Sequence, residues 1–119
     1  MQDTIEREPL FDSEQLEMLR DALGSEELAA MLSELPAAAA GSFGAIKQAL
    51  ESGDLEEARR AAHVLKGFSS SLGAVRLAAI ACDIELKLET IAAVAACMPL
   101  LTATIDATVE ELSSIVASA

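Results

Sequence analysis

The sequence predicts an all-α protein: an antiparallel four-helix bundle with an additional short helix at its N-terminus. Three observations carry this. The chain is rich in Ala, Leu and Glu and holds three phenylalanines, no tryptophan or tyrosine and three prolines, a composition that favours helix over strand. Apolar residues recur at spacings of three and four along successive segments, the period of helices with one buried face. No segment alternates convincingly at period two, as a half-buried strand would. At 119 residues, residues 1–119 have the length of one domain that buries a core without staples.

The elements follow in order. Residues 1–9 are polar and end in Pro9, so they read as a loosely ordered lead-in. Asp12 caps a first short helix, with Gln15 in capping-box position, Leu16, Leu19 and Leu23 as its apolar edge and Gly24 as its end. Ser25 caps the next helix, and Glu26 and Glu27 suit its positive end. Its stripe runs Leu28, Leu32, Leu35, Ala39, Phe43, Ile46, Leu50. Pro36 interrupts it, but the rhythm continues on both sides, which favours one kinked helix over two. Gly41-Ser42-Phe43-Gly44 lacks the preceding strand and the Lys-Ser/Thr ending of a phosphate loop. Gly53 closes this helix, and Asp54, with Glu57 three residues on, opens the third. Leu55, Ala58, Ala62, Leu65, Ser69 and Leu72 face its core side, and Gly73 breaks it. Leu77, Ile80, Ile84, Leu88 and Ile91 mark the fourth helix. The last runs from near Ala93 to Val116 on Val94, Met98, Leu101, Ile105, Val109, Leu112 and Val116, with Pro99 bending it or setting its start. Short connections make the four long helices antiparallel neighbours.

The net charge of −12 argues against nucleic-acid binding, which needs a positive footprint, and suits a cytoplasmic protein. Four of the eight basic residues, Arg59, Arg60, Lys66 and Arg76, fall within eighteen positions. An acidic body with a locally basic face would dock onto an acidic partner site; scattered helix-surface charge is the alternative. Cys82 and Cys97 have no CxxC spacing and lie in Ala-rich helix, so they read as core thiols. The longest apolar run, Ile91 to Leu101, is too short to span a bilayer. The acidic N-terminus lacks the apolar stretch of a signal peptide.

The only histidine, His63, projects roughly 130° away from the centre of its helix's apolar stripe at about 100° per residue. Arg59, Lys66 and Gly67 surround it at three and four residues, with Ser70 one turn further. A metal site needs three or four ligands at workable spacing, and the chain offers one histidine and two distant thiols. No nucleophile–base pair is placed for a hydrolytic triad. Nucleophilic transfer by the imidazole itself remains, its free ring nitrogen carrying a lone pair. Phosphoryl transfer needs in-line positioning and cancellation of oxygen charge. Lys66 suits the second task, and Gly67 keeps side chains out of the approach path. Glu85 on the apposed helix is a candidate to hold the ring in one tautomer. Each residue also has a plain alternative: a surface histidine, a solvated lysine, a glutamate paired with Lys87 or Arg76, an idle exposed serine.

The stretch Ala62-His63-Val64-Leu65-Lys66-Gly67-Phe68-Ser69-Ser70-Ser71-Leu72-Gly73-Ala74, continued through Arg76-Leu77 to Ile84-Glu85, resembles the signature of histidine-containing phosphotransfer (HPt) domains of multistep two-component signalling. The resemblance implies the five-helix plan over nearly the whole chain and makes His63 the phosphoacceptor through the ring nitrogen distal to the backbone. It implies that Lys66 steadies the phosphoryl oxygens, that Gly67 admits the partner, and that Glu85 stands where many members orient the imidazole. Ser70 is a further candidate donor to the phosphoryl group. The implied partners are receiver domains of a hybrid histidine kinase and of a response regulator, docking on Arg59, Arg60, Phe68 and Arg76. No cofactor or metal of its own is implied; Mg²⁺ belongs to the receiver. The chain is expected to be a monomeric phosphocarrier without a kinase site, binding neither nucleic acid nor membrane. Phe68 departs from the family pattern, where a small residue is usual, and either docks outward or tucks between helices. Two other functions are weighed: a bundle that binds receivers without carrying phosphate, and the phosphoacceptor module of a chemotaxis-type kinase, against which the chain's length argues.

Overall fold

The computed structural model describes residues 9–118, the side chain of Ser118 excepted. The lead-in expected over residues 1–9 therefore falls almost wholly outside the described residues. Among the described residues every regular element is helical: α1 Ser13–Leu23, α2 Ser25–Leu32, α3 Leu35–Ser52, α4 Leu55–Ser71, α5 Val75–Leu86 and α6 Ile91–Ser118. The all-α bundle expected from the periodicity is present. Its long dimension is 43 Å, which is the length of α6 at about 1.5 Å rise per residue.

The second helix corrects the expectation of a single kinked rod. It stops at Leu32 and restarts at Leu35. Pro36 lies in the first turn of α3, where its missing N–H is least costly, and it has no proton to give the carbonyl of Leu32 across the junction. Ser33 and Glu34 keep right-handed dihedrals there. The apolar stripe therefore passes through the break with Leu28, Leu32, Leu35, Ala39 and Ile46 all buried.

Two caps also differ from expectation. Asp12 does accept from the N–H groups of Glu14 and Gln15, but the Gln15 side chain does not reach back to it. Its amide donates instead to the carbonyl of Ser70 at 2.7 Å, which also accepts from the Gly73 N–H at the end of α4. The Asp12 N–H adds a bond to the Gly73 carbonyl at 2.8 Å. The N-terminal segment is thus latched to the α4–α5 turn. Ser25 is the first helical residue of α2 rather than its cap; Gly24, at φ 90°, takes that place without a side-chain bond.

The core is formed by Leu65 and Ala62 of α4, Leu77, Ile80 and Ile84 of α5, Val94 and Leu101 of α6 and Leu28, Leu32, Leu35, Ala39 and Ile46 of α2 and α3, all fully shielded, while Phe43 and Leu50 of the expected stripe are half-buried. Each large apolar side chain so buried contributes about 1.5–3 kcal/mol. The pairings α4–α5 and α3–α4 are the most extensive, and α6 closes the bundle more loosely. In α6 the buried line runs Val94, Leu101, Thr104, Thr108, Leu112, whereas Ile105, Val109 and Val116 are only half-buried. An apolar-only count misses this rotation because the threonine hydroxyl is satisfied locally, Thr108 donating to the Thr104 carbonyl at 2.6 Å. The fourth helix ends at Leu86, before Leu88. The last begins at Ile91, with Pro99 inside it. Ser25–Ser52, taken across the junction, and Ile91–Ala117 each reach the length and apolarity of a membrane span, longer than the run Ile91–Leu101 suggests; Leu28, Leu32, Leu35 and Ile46 of the first and Val94, Leu101 and Leu112 of the second are buried in the common core.

Candidate functional site

Helix α4 is fixed by a cap and by its apolar face. Asp54 accepts from the Glu57 N–H at 3.1 Å, and Ala58, Ala62, Leu65 and Ser69 are buried. That face sets the rotation of everything else on the helix. His63, two positions before Leu65, is turned outward with its side chain 65% exposed.

Across the interface, Ile80, Ala81 and Ile84 anchor α5 and so present Glu85 to α4. The two carboxylate oxygens of Glu85 divide between two partners. Oε2 lies 2.6 Å from Nδ1 of His63, and Oε1 lies 2.5 Å from Nζ of Lys66. Oε1 is shut off from solvent, and the carboxylate is only 16% exposed. Lys66 and, after it, His63 hold the Glu85 carboxyl below the usual carboxylate range, while the bond to Glu85 raises the Lys66 ammonium. A carboxylate only accepts, so the hydrogen bond to Glu85 requires the proton on Nδ1. The other nitrogen, Nε2, makes no hydrogen bond among the described residues.

Gly67 lies on the next turn. A Cβ built there meets nothing within 4 Å, and the residue is helical with φ outside the left-handed region. The fold therefore has no use for a glycine here, which costs a helix interior about 1 kcal/mol relative to alanine. Its effect is an open surface beside His63.

The imidazole opens into a groove lined by Glu56, Arg59, Arg60, His63, Val64, Glu85 and Leu86. Two of these, Val64 and Leu86, are apolar yet 64% and 63% exposed, and neither was anticipated. The available signal was their position off the apolar stripes: Val64 adjoins His63, and Leu86 follows the last core residue of α5.

The expected basic face is only partly assembled. Arg59 is half-buried and its Nη2 donates to the Leu88 carbonyl at 3.1 Å, fastening the chain just past α5. Arg60 is exposed and pairs with Glu57 at 2.7 Å. Arg76 is not beside His63; it lines a different groove with Pro9, Phe11 and Glu111. It was grouped with the others by sequence distance, but it stands beyond the turn at Gly73, on another helix. Phe68 is half-buried against the core and borders a third groove with Met31, Gly67 and Leu72. Ser70 is exposed one turn beyond Gly67, and its carbonyl is taken by Gln15. Cys82 and Cys97 are unbonded and half-buried rather than core thiols; burial pushes the Cys97 thiol up. Among the described residues no three His, Cys, Asp or Glu side chains cluster to hold a metal ion.

The arrangement is a ring nitrogen facing solvent, an imidazole tied to a shielded carboxylate, an adjacent cation paired with that carboxylate and an open surface beside them. A model of the Hpt domain family matches residues 28–115 of the chain. No curated protein matches it significantly, and no solved structure does.

Proposed function

Since the chain belongs to the Hpt domain family, whose members carry phosphoryl groups in two-component relays, we propose that His63 is its phosphoacceptor. It takes the group from an aspartyl phosphate on the receiver domain of a hybrid kinase and passes it to an aspartate on a response regulator. The observation that carries this reading is the exposed ring whose Nδ1 is committed to Glu85, with Nε2 left free.

The Nε2 lone pair attacks phosphorus in line. The N–P bond forms as the acyl O–P bond breaks, and the bonding pair leaves with the receiver's carboxylate. The proton on Nδ1 stays, and Glu85 balances the positive charge of the ring. The second transfer is the same displacement with aspartate as nucleophile and the imidazole as leaving group. Lys66, while paired with Glu85, brings a positive charge beside the phosphoryl oxygens, part of the charge cancellation such a transfer uses. Gly67 and the Val64–Leu86 rim receive the partner, and Arg60 steers it towards the acidic pocket of a receiver. Arg59 supports this interface from behind, Phe68 and Ser70 border it beyond Gly67, and Arg76 lies outside it in a separate groove. The chain itself supplies no kinase site and no cofactor; the Mg²⁺ of this chemistry is the receiver's. It works as a monomer in the cytoplasm.

The test is labelling by a panel of phosphorylated receiver domains. The wild-type chain should gain one acid-labile, base-stable phosphate, and His63→Gln should gain none while keeping its helical circular dichroism. Undiminished labelling of His63→Gln overturns the assignment.

A further inference from the structure

We propose that Glu85 sets the transfer potential of phosphorylated His63, by holding the ring's Nδ1–H and the Lys66 ammonium at once. This rests on the reading of His63 as phosphoacceptor and concerns the energy of the phosphorylated form, not which residue carries the group.

When phosphate joins Nε2 and the proton stays on Nδ1, the ring is cationic and becomes a good leaving group. A carboxylate at 2.6 Å favours that protonated ring through a charge-assisted hydrogen bond. Glu85 therefore does more than aim the imidazole: it keeps the N–P bond easy to break.

Lys66 adds to this. Its ammonium is wanted by two anions, the phosphoryl group and Oε1 of Glu85. Oε1 is dry, and Lys66 is the cation beside it. Drawing Lys66 away leaves a shielded carboxylate oxygen unpaired, a cost that opposes the move. The phosphoryl charge is thus under-neutralised while Glu85 is ionised. Both effects act in one direction, towards a short-lived phosphohistidine that gives up its group readily. A glutamine at 85 still accepts from Nδ1–H through its carbonyl oxygen, so ring orientation is kept, but it stabilises the cationic ring less and releases Lys66. The other charged or titratable groups facing the site are Arg59, Arg60 and Glu56 of α4, which line the groove, and Cys82 of α5, which lies near Lys66; the substitution leaves all of them in place.

The experiment charges the full chain with phosphoramidate and follows the phosphohistidine by ³¹P NMR at neutral pH. A single histidine means a single assignable signal. Glu85→Gln should lengthen the phosphohistidine half-life about threefold to tenfold, the size of exchanging a charged for a neutral hydrogen-bond partner. It should also shift the exchange equilibrium with a receiver towards the histidine. The gain should be smaller in Glu85→Gln/Lys66→Gln, where no lysine is released. An unchanged or shortened half-life in folded Glu85→Gln overturns the proposal, and a full gain in the double variant overturns the part given to Lys66. Should Glu85→Gln not fold, the Lys66 Nζ resonance of the wild-type chain decides: it should stay in its Glu85-bound position on charging, and a transfer to the phosphoryl group overturns the proposal. If phosphoramidate charges His63 but no receiver exchanges with it, the relay reading falls while the half-life comparison still stands.

Discussion

Arg59 donates through Nη2 to the main-chain carbonyl of Leu88 at 3.1 Å, 29 positions along the chain, while its neighbour Arg60 bonds only within its own helix to Glu57. Adjacent arginines thus do different work. One ties α4 to the α5–α6 connection, and the other stands in solvent.

Arg59→Ala is therefore expected to cost about 1–2 kcal/mol, because a half-buried charged hydrogen bond is lost and a shielded carbonyl is left bare. Arg60→Ala should leave stability almost unchanged, as the loss of an exposed ion pair does, and should slow association with a receiver at low salt. Urea midpoints and salt-dependent transfer rates separate the two effects.

Gly67→Ala should stabilise the protein by up to about 1 kcal/mol, since the helix gains propensity and the added methyl meets nothing. Gly67→Gln should leave circular dichroism unchanged while cutting transfer from a receiver at least tenfold. Equal transfer rates for Gly67→Gln and wild type would show that this surface is not approached.

Val64→Asp and Leu86→Asp should unfold nothing, because both side chains are already mostly in water. Each should weaken transfer from a receiver by roughly tenfold or more, the effect of placing a charge in an interface core. Phosphoramidate labelling of the same variants should stay normal, which distinguishes lost docking from lost chemistry.

The Glu85–Lys66 pair gives stability a defined pH window. The Glu85 carboxyl is held below its ordinary 4.5, so its contribution is complete above that value and disappears as pH falls through the lower folded value. The Lys66 ammonium is raised above its ordinary 10.5, so its share is complete below 10.5 and is lost as pH rises through the higher folded value. Urea midpoints of wild type and Glu85→Gln should differ most between these limits and converge in acid. A constant difference down to pH 2 would contradict the pairing.

Periodicity alone was enough for the helical plan, because a three-four stripe can bury only one side of a helix. That argument also turned His63 outward, since Leu65 and Ala62 fix the rotation of α4. The Pro36 junction was misjudged because an uninterrupted stripe does not require an uninterrupted helix: two residues of tightened turn keep the same side facing the core. Gln15 was misassigned because a capping box is a local option, and a distant acceptor at Ser70 outcompeted it.

The residues of the sequence determined which helix carries the single histidine and that its ring faces outward. Only the packing of α5 on α4 decided that one carboxylate would hold both His63 and Lys66, that Arg59 would be a clasp, and that Arg76 would stand elsewhere. Spacing along a helix fixes direction within that helix, but contact between helices depends on how two rows of side chains interlock, and no single row contains that information.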